Sequence, residues 1–122
     1  MLSITKIFEF AYAHQLPNYE GKCVNMHGHN AVLEIEITDS PDDFTTNYKG
    51  TIMDFGDLKH VVQNSVLDIL DHSYLNNTIR IPTAENTVLW IKDRLIGYFG
   101  DGLVRVRMYE TSTCYAEWRR DV

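Results

Sequence analysis

No run in this sequence approaches the ~20 consecutive apolar residues that a helical membrane span requires. The first ten residues, Met1 to Phe10, alternate in polarity. They lack the unbroken apolar stretch and small-residue cleavage site of a secretory signal, so a cytoplasmic location is expected by default. Basic residues are outnumbered, 11 Lys and Arg against 17 Asp and Glu, for a formal net charge of −6. That balance argues against nucleic acid as a partner, and any anionic ligand must be met by a local basic cluster. Cysteine is scarce too. The two present, Cys23 and Cys114, are expected to be separate thiols, because nothing in the sequence points to an oxidising compartment. Internal repeats, low-complexity tracts and interdomain linkers are absent. The expectation is one domain over residues 1–122, of ordinary soluble composition at 44% hydrophobic and 23% charged.

What is present begins with alternation. Over residues 2–13, Leu2, Ile4, Phe8, Phe10 and Tyr12 share one parity, broken only by Lys6, and the strand so implied delivers His14 on the same parity. Residues 15–26 hold Pro17, Asn18, Gly21 and Asn25 and read as a loop. In the next strand Ala31, Leu33, Ile35 and Ile37 alternate with Val32, Glu34, Glu36 and Thr38. Residues 39–50 read as a turn or long hairpin connection, and Thr51 to Met53 as a short extended piece. Asp54 or Gly56 opens a helix with Leu58, Val61, Val62, Ser65, Ile69 and Leu70 at helical spacing. Residues 71–82 return to loop. Thr83 is the expected N-cap of a second helix, with Val88, Ile91, Leu95 and Ile96 on its apolar face and Gly97 or Gly100 at its end. Val104, Val106 and Met108 mark a third strand, and Cys114 to Trp118 a fourth. The order β-β-α-α-β-β predicts an α+β fold, a four-stranded antiparallel sheet with both helices packed on one face.

The segment Cys23-Val24-Asn25-Met26-His27-Gly28-His29 carries the chemistry. Side chains alternate faces along a strand, so His27 and His29 point the same way, on the parity of the apolar set. With His14 they make three imidazoles opening onto an apolar face, where the neutral ring is favoured. Each alone reads as a hydrogen-bonded histidine at a sheet edge. Together they read as a metal site, with zinc the first choice, since three imidazoles leave one coordination position for water or substrate.

Three further features have a plain and a chemical reading. Cys23 is either a small buried hydrophobe or, beside a metal and Lys22, a thiolate available as base or nucleophile. Asp71-His72 either caps a helix end or pairs a carboxylate with a general base. Glu110 extends the parity of Val104, Val106 and Met108, so an acid ends an apolar face. It is either bridged to Arg105, Arg107 or Arg119, or it anchors a ligand with two parallel N–H donors.

Taken in order, Phe10-Ala-Tyr-Ala-His14, Gly21-Lys-Cys23, His27-Gly-His-Asn30, Met53-Asp-Phe55, Leu70-Asp-His72, Pro82-Thr-Ala-Glu-Asn86 and Tyr109-Glu-Thr111 resemble the 6-pyruvoyl- and 6-carboxy-tetrahydropterin synthase family over nearly the whole chain. The resemblance implies a T-fold that assembles through its sheets into trimers, two of which stack into a homohexamer. It implies Zn2+ on His14, His27 and His29, Cys23 as catalytic base, and Asp71 and His72 as relay partners reaching the site from a neighbouring subunit. Glu110 would grip the pterin ring of a pterin triphosphate substrate.

The spacing Cys-x-x-x-His looks like the 6-carboxy branch of the queuosine pathway. That branch converts 7,8-dihydroneopterin triphosphate to 6-carboxy-5,6,7,8-tetrahydropterin, acetaldehyde and triphosphate. The alternatives are the pyruvoyl-forming branch and a non-catalytic zinc- or pterin-binding T-fold protein. Tyr12, Gln15 and Ala31 depart from the residues usual in the family. Lys22 and Arg80 are the basic candidates for the triphosphate.

Overall fold

The computed structural model describes residues 1–17, 21, 25–39 and 49–121. Two long strands carry the predicted alternation. In β1 (Ile4–His14) Phe8, Phe10, Tyr12 and His14 are buried, and in β2 (His27–Ile37) Ala31, Leu33, Ile35 and Ile37 are buried. Lys6, the break in the pattern, lies with its ammonium 5.9 Å from the centre of the Phe8 ring, within cation–π range. The strands pair antiparallel without interruption from Ile4↔Ile37 to His14↔His27.

The first helical segment runs unbroken from α1 (Phe55–Val62) through a π-helical stretch (Gln63–Leu67) to α2 (Asp68–Leu70). Asp54 is its N-cap, accepting from the Gly56 and Asp57 N–H groups. The wider π turns bring Ser65, Val66 and Leu67 inward along with Leu58, Val62 and Leu70. Thr83 caps α3 (Ala84–Phe99) by accepting from the Asn86 N–H at 3.1 Å. Gly100 ends it at φ 53°, a conformation that favours glycine. Val88, Ile91 and Leu95 pack with the buried strand residues into one core on a single face of the sheet.

In place of a four-stranded antiparallel sheet, the fold has a five-stranded mixed one, ordered β3-β1-β2-β4-β5. The extra strand, β3 (Ser73–Tyr74), lies parallel to Tyr12 and Ala13 within the stretch expected to be loop. Two residues are too short to leave a periodic signal. The pairing comes from tertiary hydrogen bonds just before it: His72 N–H donates to the Ala11 carbonyl at 2.7 Å, and Ala11 N–H to Asp71 Oδ1 at 2.9 Å. A single 3-10 turn (Leu75–Asn77) follows. Ile52 and Met53 form a bend where an extended piece was expected, and most of the predicted connection over 39–50 lies outside the described residues.

β4 (Leu103–Thr111) and β5 (Cys114–Arg119) complete the antiparallel part. On the face away from the helices, Arg105 donates to Glu36 and Glu34, and Arg107 to Glu117. Burial alone would raise the Glu36 carboxyl, but hydrogen bonds from Ser3 and Arg105 outweigh it and hold it below its ordinary value. No helix among the described residues is long and apolar enough to cross a membrane.

Candidate functional site

Strand register builds the site. Because His14 sits opposite His27 and Tyr12 opposite His29, the three histidines meet at one end of the core face. Their ring centroids lie 4.5, 4.9 and 5.1 Å apart, each pair nearly perpendicular. Tyr12 completes the cluster, with its ring edge-on to His14 at 5.2 Å and tilted against His29 at 5.6 Å. Burial first, then the negative charge of Glu110 and Cys114, holds the Tyr12 phenol well above its ordinary pKa. It stays a neutral O–H.

Whether a cation suits this cluster is answered by its hydrogen bonds. His14 Nδ1 lies 2.8 Å from the Pro82 carbonyl, and His27 Nδ1 lies 2.7 Å from the Asn25 carbonyl. A carbonyl oxygen can only accept, so both Nδ1 atoms carry the proton and both Nε2 atoms present lone pairs. Those two Nε2 atoms face each other at 2.9 Å with no proton to share. His29 Nε2 is buried without a hydrogen bond. Burial lowers the His29 pKa, partly offset by Glu110 and reinforced by its two histidine neighbours, which favours the neutral ligand form. Converging lone pairs with backbone partners behind them are the arrangement of a metal site. The residues fit the ion.

A fourth group joins them. Glu110 Oε1 stands 2.9 Å from His29 Nε2 and 3.9 Å from His14 Nε2, and the four candidate ligand atoms lie within 4.8 Å of one another. The 2.9 Å approach lacks hydrogen-bond alignment, so His29 Nε2 is left without a hydrogen-bond partner. Parity put Glu110 on this face; a bulge aims it. β4 pairs with β5 at Tyr109↔Tyr115 and then at Thr111↔Cys114, so Glu110 is the extra residue. None of the three arginines offered as its plain partners bridges it: they bond Glu34, Glu36 and Glu117 instead. Glu110 also lines a cleft of ≈ 540 Å³ between the start of α3 and β5, with Ala84, Val88, Cys114 and Trp118.

Asp71 and His72 do not join the cluster within one polypeptide. They sit at the β1 edge of the sheet, bound to Ala11, and line a separate cleft of ≈ 350 Å³ with Glu9, Asn30 and Val32. His72 Nδ1 lies 3.0 Å from Asp71 Oδ1, and its side chain is 82% exposed. It holds a φ of 56°, uncommon for a residue other than glycine. Cys23 and Lys22 lie outside the described residues. Cys114 is a free, exposed thiol, bonded to the Thr111 hydroxyl at 2.9 Å. Sequence reasoning missed the approach of Glu110 to His29, the packing of Tyr12 on two imidazoles, and the carbonyls of Pro82 and Asn25. The first two had a visible signal, an acid and a tyrosine on the apolar parity of the histidines; the carbonyls had none.

A helix-backed sheet with three imidazoles and a carboxylate gathered at one end, positioned to hold a metal ion, is an arrangement of the T-fold class. The model of the family described as 6-pyruvoyl tetrahydropterin synthase matches residues 3–121, and the chain belongs to that family. It is 37% identical, over 97% of its length and 93% of the relative's, to 6-carboxy-5,6,7,8-tetrahydropterin synthase of Synechocystis. To the protein of the same name from Haemophilus influenzae it is 31% identical, over 98% and 99% of the two sequences. In fold it is similar to the 6-pyruvoyl tetrahydropterin synthase of Caenorhabditis elegans. The TM-score is 0.79 at 23% identity, over 98% and 96% of the two structures.

Proposed function

We propose that this protein is a zinc-dependent 6-carboxy-5,6,7,8-tetrahydropterin synthase acting on 7,8-dihydroneopterin triphosphate, in the queuosine route. The observation that carries the reading is the convergence of His14, His27 and His29 with Glu110, which faces both the cluster and the cleft. The names of three relatives, at 31, 37 and 40% identity, support the carboxy branch, and one at 34% carries the name 6-pyruvoyl tetrahydrobiopterin synthase. So does the Cys23-x-x-x-His27 spacing.

The three imidazoles hold the ion, which when bound supplies Lewis-acid polarisation of the substrate's hydroxyls and makes the neighbouring C–H protons removable. Glu110 orients the substrate, its two carboxylate oxygens accepting from the paired N–H groups of the pterin edge. Cys23, four residues before His27, takes one of those protons as thiolate. On the opposite side His72 moves the second proton, with Asp71 fixing its tautomer and stabilising its charged form. Asp71 is itself anchored by the Ala11 N–H, so the pair is set before substrate arrives. Its outward presentation at the sheet edge suits delivery to a neighbouring copy, as in a hexamer of stacked trimers. Loss of triphosphate and hydrolytic cleavage of the C–C bond between the two hydroxyl-bearing carbons, with one water supplying the second carboxylate oxygen, then yield acetaldehyde and the 6-carboxy product.

The test is incubation with 7,8-dihydroneopterin triphosphate, with and without chelator, followed by product identification. Metal-dependent acetaldehyde release is the expected result. Triphosphate release without acetaldehyde identifies the pyruvoyl-forming reaction instead, and no turnover leaves a pterin- or zinc-binding protein.

A further inference from the structure

Glu110 answers to two neighbours at once. On one side its Oε1 stands 2.9 Å from His29 Nε2 and 3.9 Å from His14 Nε2. On the other, its side chain, 24% exposed, forms part of the wall of the ≈ 540 Å³ cleft. A partly buried carboxylate with no donor of its own is costly. Among the described residues the arginines of the sheet are engaged elsewhere: Arg105 with Glu34 and Glu36, Arg107 and Arg119 with Glu117. His14 cannot donate to it from Nε2, since its proton sits on Nδ1 against Pro82. His29 Nε2 is close but makes no hydrogen bond. A cation between them satisfies both atoms.

The backbone gives Glu110 room to move. Its strand's register with β2 ends at Val32↔Tyr109, and the register with β5 steps from Tyr109 to Thr111. Glu110 is therefore paired in neither ladder, and a bulged residue can re-aim its side chain without breaking strand hydrogen bonds.

Resting on the pterin-synthase reading above, we infer that Glu110 is an exchangeable fourth ligand of the metal centre. It closes the coordination sphere while the cleft is empty and leaves the ion to take the paired N–H donors of the heterocycle when substrate enters. Charge gives the exchange its purpose. Three neutral imidazoles leave a divalent ion its full charge, whereas the carboxylate neutralises half of it. With Glu110 bound, the ion is shielded from stray anions. With Glu110 on the heterocycle, its full Lewis acidity and one open position coincide with the arrival of the substrate hydroxyls. One side chain thus couples ring recognition to activation of the centre.

The experiment uses the full-length protein loaded with Co2+, whose visible spectrum reports the ligand set, as wild type and as Glu110→Gln. Each is titrated with pterin, which has the N–H edge but no hydroxyl-bearing substituent, and binding is followed separately by pterin fluorescence. The expected result has three parts. Glu110→Gln binds Co2+ at least about tenfold more weakly, its spectrum differs from wild type, and saturating pterin moves the wild-type spectrum onto that of the variant. Identical starting spectra overturn the proposal, as does bound pterin that leaves the wild-type spectrum unchanged. Pterin that gives no fluorescence response overturns the substrate class underneath, and the exchange with it. That outcome is distinct because the spectral difference between wild type and variant would persist. Should Glu110→Gln fail to fold by circular dichroism, Glu110→Ala takes its place with the same readouts.

Discussion

His14 Nδ1 is 2.8 Å from the carbonyl oxygen of Pro82, a residue 68 positions away, so the end of β1 is tied to the entrance of α3 by a histidine of the proposed metal site. His14 is completely buried, whereas His27 is only partly so and bonds a carbonyl two residues away. The two histidines therefore differ in what their loss does to the metal-free protein. His14→Ala leaves a buried carbonyl unpaired and is expected to cost about 2–3 kcal/mol. His27→Ala is expected to cost under about 1 kcal/mol. Both lose stoichiometric metal. Denaturant unfolding of the chelated proteins, with metal analysis, checks the difference.

Tyr12 separates packing from chemistry. Tyr12→Phe keeps the ring against His14 and His29 and is expected to retain metal affinity. Tyr12→Ala opens a cavity beside both imidazoles, at about 3–5 kcal/mol. Freed to rotate, the two rings are expected to bind metal about 10–100-fold more weakly. Isothermal titration with zinc distinguishes the pair.

Acid should weaken the outer face before it reaches the core. The folded-state pKa values of Glu36 and Glu117 are lowered; burial opposes the shift in each, and bonds from Ser3 and Arg105, or from Arg107, outweigh it. The unfolded protein takes up protons first, at the ordinary value near 4.5. Their contribution is therefore fully present above that pH and is lost as pH falls through the lowered values. Arg105→Met removes the donor to Glu36 and Glu34, at about 2 kcal/mol near neutrality. It should also flatten the acid limb. Unfolding midpoints from about pH 3 to 7 are the measurement.

Chelation should lower the melting temperature by an amount that depends on free metal. At free zinc about 100 times Kd the bound ion contributes about 2.7 kcal/mol. A melting temperature indifferent to added zinc in the wild-type protein would contradict the metal site.

Cys23→Ala is expected to reduce turnover at least about 100-fold while zinc content stays at wild-type level. Near-normal activity would remove the thiol from the mechanism.

Periodicity was enough to gather the histidines. A pleated strand turns alternate side chains to one face, so His14, His27, His29 and Glu110 were assignable to the apolar side from their spacing alone. Helix caps were legible for the same local reason: Asp54 and Thr83 satisfy N–H groups within three residues of themselves. The α+β class and the family followed from these local patterns and from short motifs in their order, while the fifth, parallel strand did not.

Register is another matter, because it is set between strands and not within one. That His14 faces His27, and Tyr12 faces His29, depends on which residues of β1 and β2 share hydrogen bonds. The bulge that frees Glu110 is likewise a mismatch between β4 and β5, invisible in either strand. β3 pairs with β1 where Asp71 and His72 bond Ala11 across some sixty intervening residues, and the same bonds hold the pair at the sheet edge, away from the cluster. Adjacency in sequence could not say where they face. The sequence by itself determined the chemistry available, since residue type and face are local properties. Tertiary structure alone decided which groups meet, because convergence is a property of pairing between distant segments.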